Sequence, residues 1–389
     1  MNAVAGLRAW KPHTMSLKVN SRIPYGNAAD VEIDETGEIP EVRFASDPDG
    51  GSEALWFHFR LTETQPEPPR TNKVRLVWRH FDNLPGGGNP SACAPVCQPT
   101  GQSWMRLKQG EEVQLPDGRR QAVWYIGHPA PHTDVALCFP YGPTDVDATI
   151  DRSKEYWQRD VIGLSQAAHR IVRLSNGVGA PGGTQPGIYI IARQNPGETP
   201  GSWVLDGLLR QLAQVRKAGY IVWTVPLAGI DGVLGGNGRG PCDLTRAWGQ
   251  PPLRHETRVL RQDLQRWKER CRPILAFDLR AAGAGERDGV YSCTANAAAD
   301  PLAAEETRWA NAIQNELKAE FAAGEFKRGG EAAPDSNAAT FYDFTHGVLQ
   351  VPALTLKIPY AMVGSSVLTQ KDYREIGRRL MEAIVRRRS

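Results

Sequence analysis

Neither sign of charge dominates this chain. Its 389 residues carry 46 Lys and Arg against 43 Asp and Glu, a formal net charge of +3, which gives no general reason to expect nucleic acid as a partner. No run of apolar residues is long enough to span a bilayer. The opening residues, MNAVAGLRAWKPHT, lack an apolar core and a cleavage site, so the expectation is a chain without a signal peptide. Histidine clusters are lacking as well. His128 and His132 stand four apart, but the two prolines of GHPAPHT keep them off one helical face. His58 and His80 are expected in strands, and His255, beside Glu256, either lines a cleft or starts a helix. The six cysteines (Cys93, Cys97, Cys138, Cys242, Cys271, Cys293) are scattered, and only Cys93 and Cys97 lie close, in CAPVC. No second pair follows at zinc-finger spacing. A pair of free thiols in a loop is the favoured reading, with a disulfide left open, and a cytoplasmic setting with reduced thiols is expected. No internal repeat is present.

What is there suits two domains. In the first part ALWFHFRL, KVRLVWRHF and DVALCFPY are aromatic and β-branched runs separated by Pro, Gly and Asp-rich turns, the pattern of a small all-β unit over residues 1–148. Over residues 149–389 the strand-like runs GIYIIAR, YIVWTVP and PILAFDL alternate with helical segments, the pattern of an α/β domain. A helix is read through Val204, Leu208, Leu209, Leu212 and Val215, with Gly219 as its stop. A second is read at about residues 302–322, flanked by Gly, Ala and Asp-rich stretches of low order at 283–301 and 324–339. The terminal REIGRRLMEAIVRRR has helical apolar spacing at Ile376, Leu380, Ile384 and Val385. It is read as a helix packed on the sheet, with its last arginines at the negative end of the helix dipole.

Residues 192–199, ARQNPGET, together with AGIDGVLGGNGRGPCDLTRAW, PILAFDLR and ALTLKIPY, resemble the cytosolic type of zinc metallocarboxypeptidase. The second of these segments is similar to the family's N-P-D-G-V, G-N-x-R and D-L-N-R-x-W stretches at Asp231, Gly232, Gly236, Asn237, Arg239, Asp243, Leu244, Arg246 and Trp248. The resemblance implies a carboxypeptidase-like mixed sheet flanked by helices, preceded by a small antiparallel β-sandwich. It also implies a zinc held by two His and one Glu, with a second Glu as catalytic base. Here Glu198 is retained, but Asn195 stands at one His position, Arg280 at the other and Lys357 at the position of the base. By the same resemblance Arg239 would polarise a scissile carbonyl and Arg246 would hold a terminal carboxylate. Thr245 replaces the Asn that completes that clamp, and the low-order stretches would rim the cleft.

These substitutions remove the chemistry of the family. An amide oxygen is a weak donor to zinc, and a guanidinium stays protonated and offers no lone pair. A lysine cannot act as a base at neutral pH without a large pKa shift. The expectation is therefore a degenerate metal site at Asn195, Glu198 and Arg280, no bound metal and no catalytic residue. Arg280 and Lys357 would stand in for the ion and pair with Glu198, with drift under relaxed selection as the duller account. Arg239, Arg246, Arg280 and Lys357, with Thr245 beside them, would make a positive, ligand-binding cleft in a protein that binds a peptide or small carboxylate or regulates an active partner protein. Two other functions stay open. One is an active amide hydrolase that binds metal through unaligned residues or uses Lys357 as a nucleophile. The other is a structural subunit paired with an active paralogue.

Overall fold

The structure, a computed structural model, describes residues 17–49, 54–64, 73–83, 92–127, 129, 131–216, 219–236, 243–294, 300–329 and 339–387. Ten strands come first: β1 (Leu17–Asn20), β2 (Ala29–Asp34), β3 (Glu41–Ala45), β4 (His58–Glu63), β5 (Lys73–Trp78), β6 (Val96–Pro99), β7 (Met105–Arg106), β8 (Glu111–Gln114), β9 (Arg120–Gly127) and β10 (His132–Ala136). They form two five-stranded sheets, in the orders β1-β4-β10-β6-β7 and β2-β3-β5-β9-β8. Pairing is antiparallel except between β3 and β5. Alternate residues of each strand face inward, as the pleat requires. Phe59 and Leu61, Val74, Leu76 and Trp78, and Ala122, Trp124 and Ile126 are all buried. Phe44, Phe57 and Phe59 meet edge to face, and Phe57 meets Trp78 in the same way.

The second part holds α1 (Pro143–Arg152), β11 (Gln158–Leu164), β12 (Arg170–Ser175), β13 (Pro186–Ala192), α2 (Thr199–Val215), β14 (Ile221–Val225), α3 (Ile230–Gly235), α4 (His255–Arg270), β15 (Arg272–Ala281), β16 (Val290–Thr294), α5 (Pro301–Phe321), β17 (Ala322–Gly329), β18 (Ala353–Ile358) and, after a short hairpin, α6 (Gln370–Arg386). Its eight-stranded sheet runs β11-β12-β14-β13-β15-β18-β16-β17. The central four strands are mutually parallel, while β12 and β16 run antiparallel to β14 and β18. β14 and β18 are buried along their whole length, as parallel strands covered on both faces must be. This is an α/β domain with a mixed sheet preceded by a β domain, the architecture that the resemblance implies.

Several local expectations are corrected. Helix α2 ends at Val215, which is solvent-exposed, and Arg216 closes it in a left-handed conformation at φ 46°; the stop comes before Gly219. His80 follows β5 at φ 60° and is outside any strand. Cys97 lies in β6, so the CAPVC pair is not wholly in a loop, and both of its cysteines are buried and free. The stretch 283–301 contains β16, and 324–339 opens with the rest of β17. Tyr291, Ser292 and Cys293 pair with β18, so ladder hydrogen bonds order a segment whose composition alone reads as loop. Residues 295–299 and 330–338 lie outside the described residues. Helix α6 lies against α2 and α5. A Cβ at Gly207 or Gly377 would collide with the facing helix backbone, so the two glycines permit the close α2–α6 approach. The last arginines pair with acids of α5, Arg386 with Glu316 and Arg387 with Glu305, rather than serving the helix dipole alone.

The two parts are braced together. Arg106 donates to the Leu368 carbonyl at 2.6 Å and lies over the Phe139 ring. Asn27 of the β domain donates to the Gly236 carbonyl, just after α3, at 3.0 Å.

Candidate functional site

The loop between β13 and α2 carries the first site residues. It is held from below by Arg193, which is buried at φ 61°. Its guanidinium donates to the Pro196 carbonyl at 2.6 Å and to the Tyr141 carbonyl at 2.9 Å. Burial lowers its pKa to about 10, so it remains a cation at neutral pH. The loop presents Asn195 and Glu198, 1% and 5% exposed. The Asn195 amide donates to Glu198 Oε1 at 2.9 Å. Arg280 approaches the same carboxylate side-on, with Nη2 3.3 Å from Oε1 and Nε 3.4 Å from Oε2. The expected Glu198–Arg280 pair is therefore present.

β15 and β18 supply the floor. Their parallel register sets Asp278 beside Thr355 and Arg280 beside Lys357, and residues two apart on a strand share a face. Asp278, Arg280, Thr355 and Lys357 thus form one buried patch. Asp278 accepts a hydrogen bond from Gln194 Nε2 at 2.7 Å. The oxygen of that glutamine accepts from the indole N–H of Trp248 at 2.7 Å. Burial pushes the Asp278 carboxyl up to about 7, against the opposing pull of Arg280, Gln194 and Lys357. Two acceptors in this region, Asn195 Oδ1 and Asp278 Oδ1, have no hydrogen-bond partner among the described residues.

Other expected site residues are placed differently. Arg239 lies outside the described residues. Thr245 turns inward, its hydroxyl donating to Asp243 Oδ1 at 2.6 Å. Arg246 is one-third exposed and sits 3.8 Å from Asp243, a loose pair that leaves the guanidinium accessible. His255 is the exposed first residue of α4, and Glu256 is buried against Arg254. Asp231 accepts from the Ala167 backbone N–H at 2.9 Å and lies 2.8 Å from His169 Nδ1, fastening α3 to the β11–β12 turn.

The residues do not fit a catalytic zinc. Among the described residues the site offers no imidazole, and a guanidinium lies against its carboxylate. The Glu198 carboxylate is already engaged by Arg280 and Asn195. Among the described residues no group of three His, Cys, Asp or Glu is arranged to hold a metal ion. What the arrangement offers chemically is two buried basic side chains, Arg280 and Lys357, beside a paired carboxylate and two acceptors without partners among the described residues. Sequence reasoning missed Arg193, Gln194 and Asp278. Asp278 had a signal, since it stands two residues before Arg280 on one strand. Gln194 and Arg193 had none beyond adjacency to Asn195.

No protein-family model matches the chain. Mouse cytosolic carboxypeptidase 1 is 42% identical over 84 residues, 19% of this chain and 7% of that protein. Human cytosolic carboxypeptidase 6 is 28% identical over 236 residues, 52% of this chain and 44% of that protein. The chain thus spans less than half the length of these curated relatives. Among solved structures, the metallo-carboxypeptidase of Burkholderia cenocepacia superposes with a TM-score of 0.76 at 18% identity, covering 95% of this chain and 98% of that one. The metallo-carboxypeptidase of Pseudomonas aeruginosa, in complex with (2-guanidinoethylmercapto)succinic acid, gives 0.75 at 18% identity, with coverage of 95% and 98%. The homologues are cytosolic carboxypeptidases, and the structural neighbours are metallo-carboxypeptidases.

Proposed function

We propose that this chain is a catalytically inactive metallocarboxypeptidase homologue whose cleft binds a peptide or another carboxylate-bearing ligand. The observation that carries the reading is the Glu198 carboxylate closed off by Arg280 and Asn195. A zinc-bound water needs open coordination and a base to take its proton. Here the retained carboxylate is spent on a guanidinium, and Lys357 stands where the base belongs. Arg280 and Lys357 supply fixed positive charge in a low-dielectric hollow, and Arg246 is an accessible guanidinium able to grip a carboxylate with two hydrogen bonds. A cytoplasmic setting is part of the proposal, supported by the likeness to cytosolic carboxypeptidases and by the free thiols of Cys93, Cys97, Cys138 and Cys271.

The test is a paired assay on an N-blocked dipeptide with a free carboxyl terminus. Calorimetry should show saturable binding, about tenfold weaker for the amidated dipeptide, a difference of about 1.4 kcal/mol. No amino acid should be released, with or without added zinc. Restoring Asn195→His, Arg280→His or Lys357→Glu one at a time should recover little, because members of one catalytic unit act together. Chelator-sensitive release by the unaltered protein would overturn the proposal.

A further inference from the structure

On the far side of α3 from the candidate site lies a second cavity of about 290 Å³. Helix α3 separates the two. Gly232 faces Pro196 of the site loop so closely that a Cβ would collide with the ring. Ile230 and Leu234, four apart and on one helical face, instead line the second cavity. Val146 of α1, Val172 of β12 and Leu227 after β14 complete its apolar wall. Val146, Leu227 and Ile230 are almost fully buried, while Leu234 is 40% exposed at the mouth.

The rim is not neutral. Arg159, His169 and Arg170 reach it from the β11–β12 hairpin, and Asp147 reaches it from α1. Arg159 pairs with Asp147, and His169 with Asp231. The Arg170 guanidinium is exposed and makes no hydrogen bond or ion pair among the described residues, while its backbone pairs with Leu164. One unmatched cation therefore stands at the mouth of an apolar hollow. Such a combination selects a ligand with an apolar body and an anionic end, since the body removes wall from water and the end meets the charge. At about 30 Å³ per water-sized heavy atom, the volume holds about ten such atoms.

We propose that this cavity is a binding site for a small amphipathic carboxylate, an apolar chain or ring of medium length ending in a carboxylate held by Arg170. The site is separate from the cleft, and nothing in the proposal depends on whether the cleft binds peptide.

The probe is octanoate, whose ten non-hydrogen atoms match the volume, titrated into the full chain by calorimetry and compared with 1-octanol. Octanoate should bind saturably at one site, and octanol at least about tenfold more weakly, a difference of about 1.4 kcal/mol. Arg170→Glu should weaken octanoate by a similar factor, and Leu234→Asp likewise, with unchanged melting temperature because both side chains are exposed. Arg258→Glu, an exposed charge reversal on α4, should leave binding as it was and so controls for net charge. The proposal is overturned if the unaltered protein shows no saturable binding at millimolar octanoate. Equal affinity for octanol, or affinity that survives Arg170→Glu, would overturn it as well.

Discussion

Two buried arginine–carboxylate clusters sit on the same sheet and are built to different standards. At one, Arg173 of β12 donates to Asp263 of α4 at 2.9 Å and to Asp160 of β11 at 2.5 Å. Its guanidinium lies 3.7 Å over the Trp223 ring. Tyr189 donates to the second oxygen of Asp263 at 3.0 Å. At the other, Arg280 meets Glu198 at 3.3 and 3.4 Å, and two neighbouring acceptors, Asn195 Oδ1 and Asp278 Oδ1, have no partner among the described residues. Satisfied buried networks rigidify a fold, and partly satisfied ones cost free energy. In the first cluster both Asp263 oxygens are bonded and Arg173 Nε alone of these groups lacks a partner among the described residues, so it joins helix to sheet. The second has longer ion-pair contacts and two acceptors without partners among the described residues.

The largest effect should come from breaking the joint. Arg173→Ala leaves Asp263 buried without its counter-charge and should cost about 3–5 kcal/mol in urea unfolding. A loss below about 1 kcal/mol would remove the contrast between the clusters. The next effect tests the unsatisfied side. The folded pKa of Asp278 is raised by burial from an ordinary 3.8 to about 7. A raised carboxyl binds more protons in the folded state, so its contribution is fully present below pH 3.8 and is lost as pH rises through about 7. Asp278→Asn should therefore be more stable than the unaltered protein at pH 8, by on the order of 2–4 kcal/mol. The gain should vanish in melts below about pH 4. A gain that does not change with pH would show that Asp278 is charged throughout.

Glu198→Ala should cost about 2 kcal/mol, less than Arg173→Ala, because its bonds to Arg280 are long and Asp278 remains as a second acid. The double variant Glu198→Leu, Arg280→Met should recover most of that loss, since an apolar pair of similar volume replaces a desolvated ion pair. Equal losses for Glu198→Ala and Arg173→Ala would make both clusters structural joints. The smallest stability change belongs to Arg246→Ala. Its 3.8 Å pair with Asp243 is partly solvated, so about 0.5 kcal/mol or less is expected. Binding of the free dipeptide should nonetheless fall about tenfold. Unchanged binding would take Arg246 out of the site.

The extent to which the site was legible follows from the range of each signal. Asn195, Glu198 and Arg280 stand in motifs whose spacing fixes loop and strand, and the structure brings them together as those motifs imply. Asp231 matched a motif equally well, yet its carboxylate serves the β11–β12 turn through His169 and Ser165. Motif position says where a backbone runs, while the neighbour that claims a side chain comes from a distant segment. Gln194 illustrates the same limit, because its two partners, Asp278 and Trp248, are 84 and 54 residues away.

The sequence by itself determined the order of elements. Period-two aromatic runs made a β domain, and buried β-branched runs alternating with helices made an α/β domain, because local periodicity decides which face of an element is apolar. It also determined that no imidazole stands at the three resembling positions. Tertiary structure alone decided that β16 is a strand, since β18 had to offer the ladder that orders it. It alone raised the Asp278 carboxyl to about 7, because the cost of burying a charge depends on what the whole fold places around it. The unmatched cation at the mouth of the second cavity is of the same kind: helix α3, the β11–β12 hairpin and α1 had to meet before an exposed arginine acquired an apolar hollow beside it.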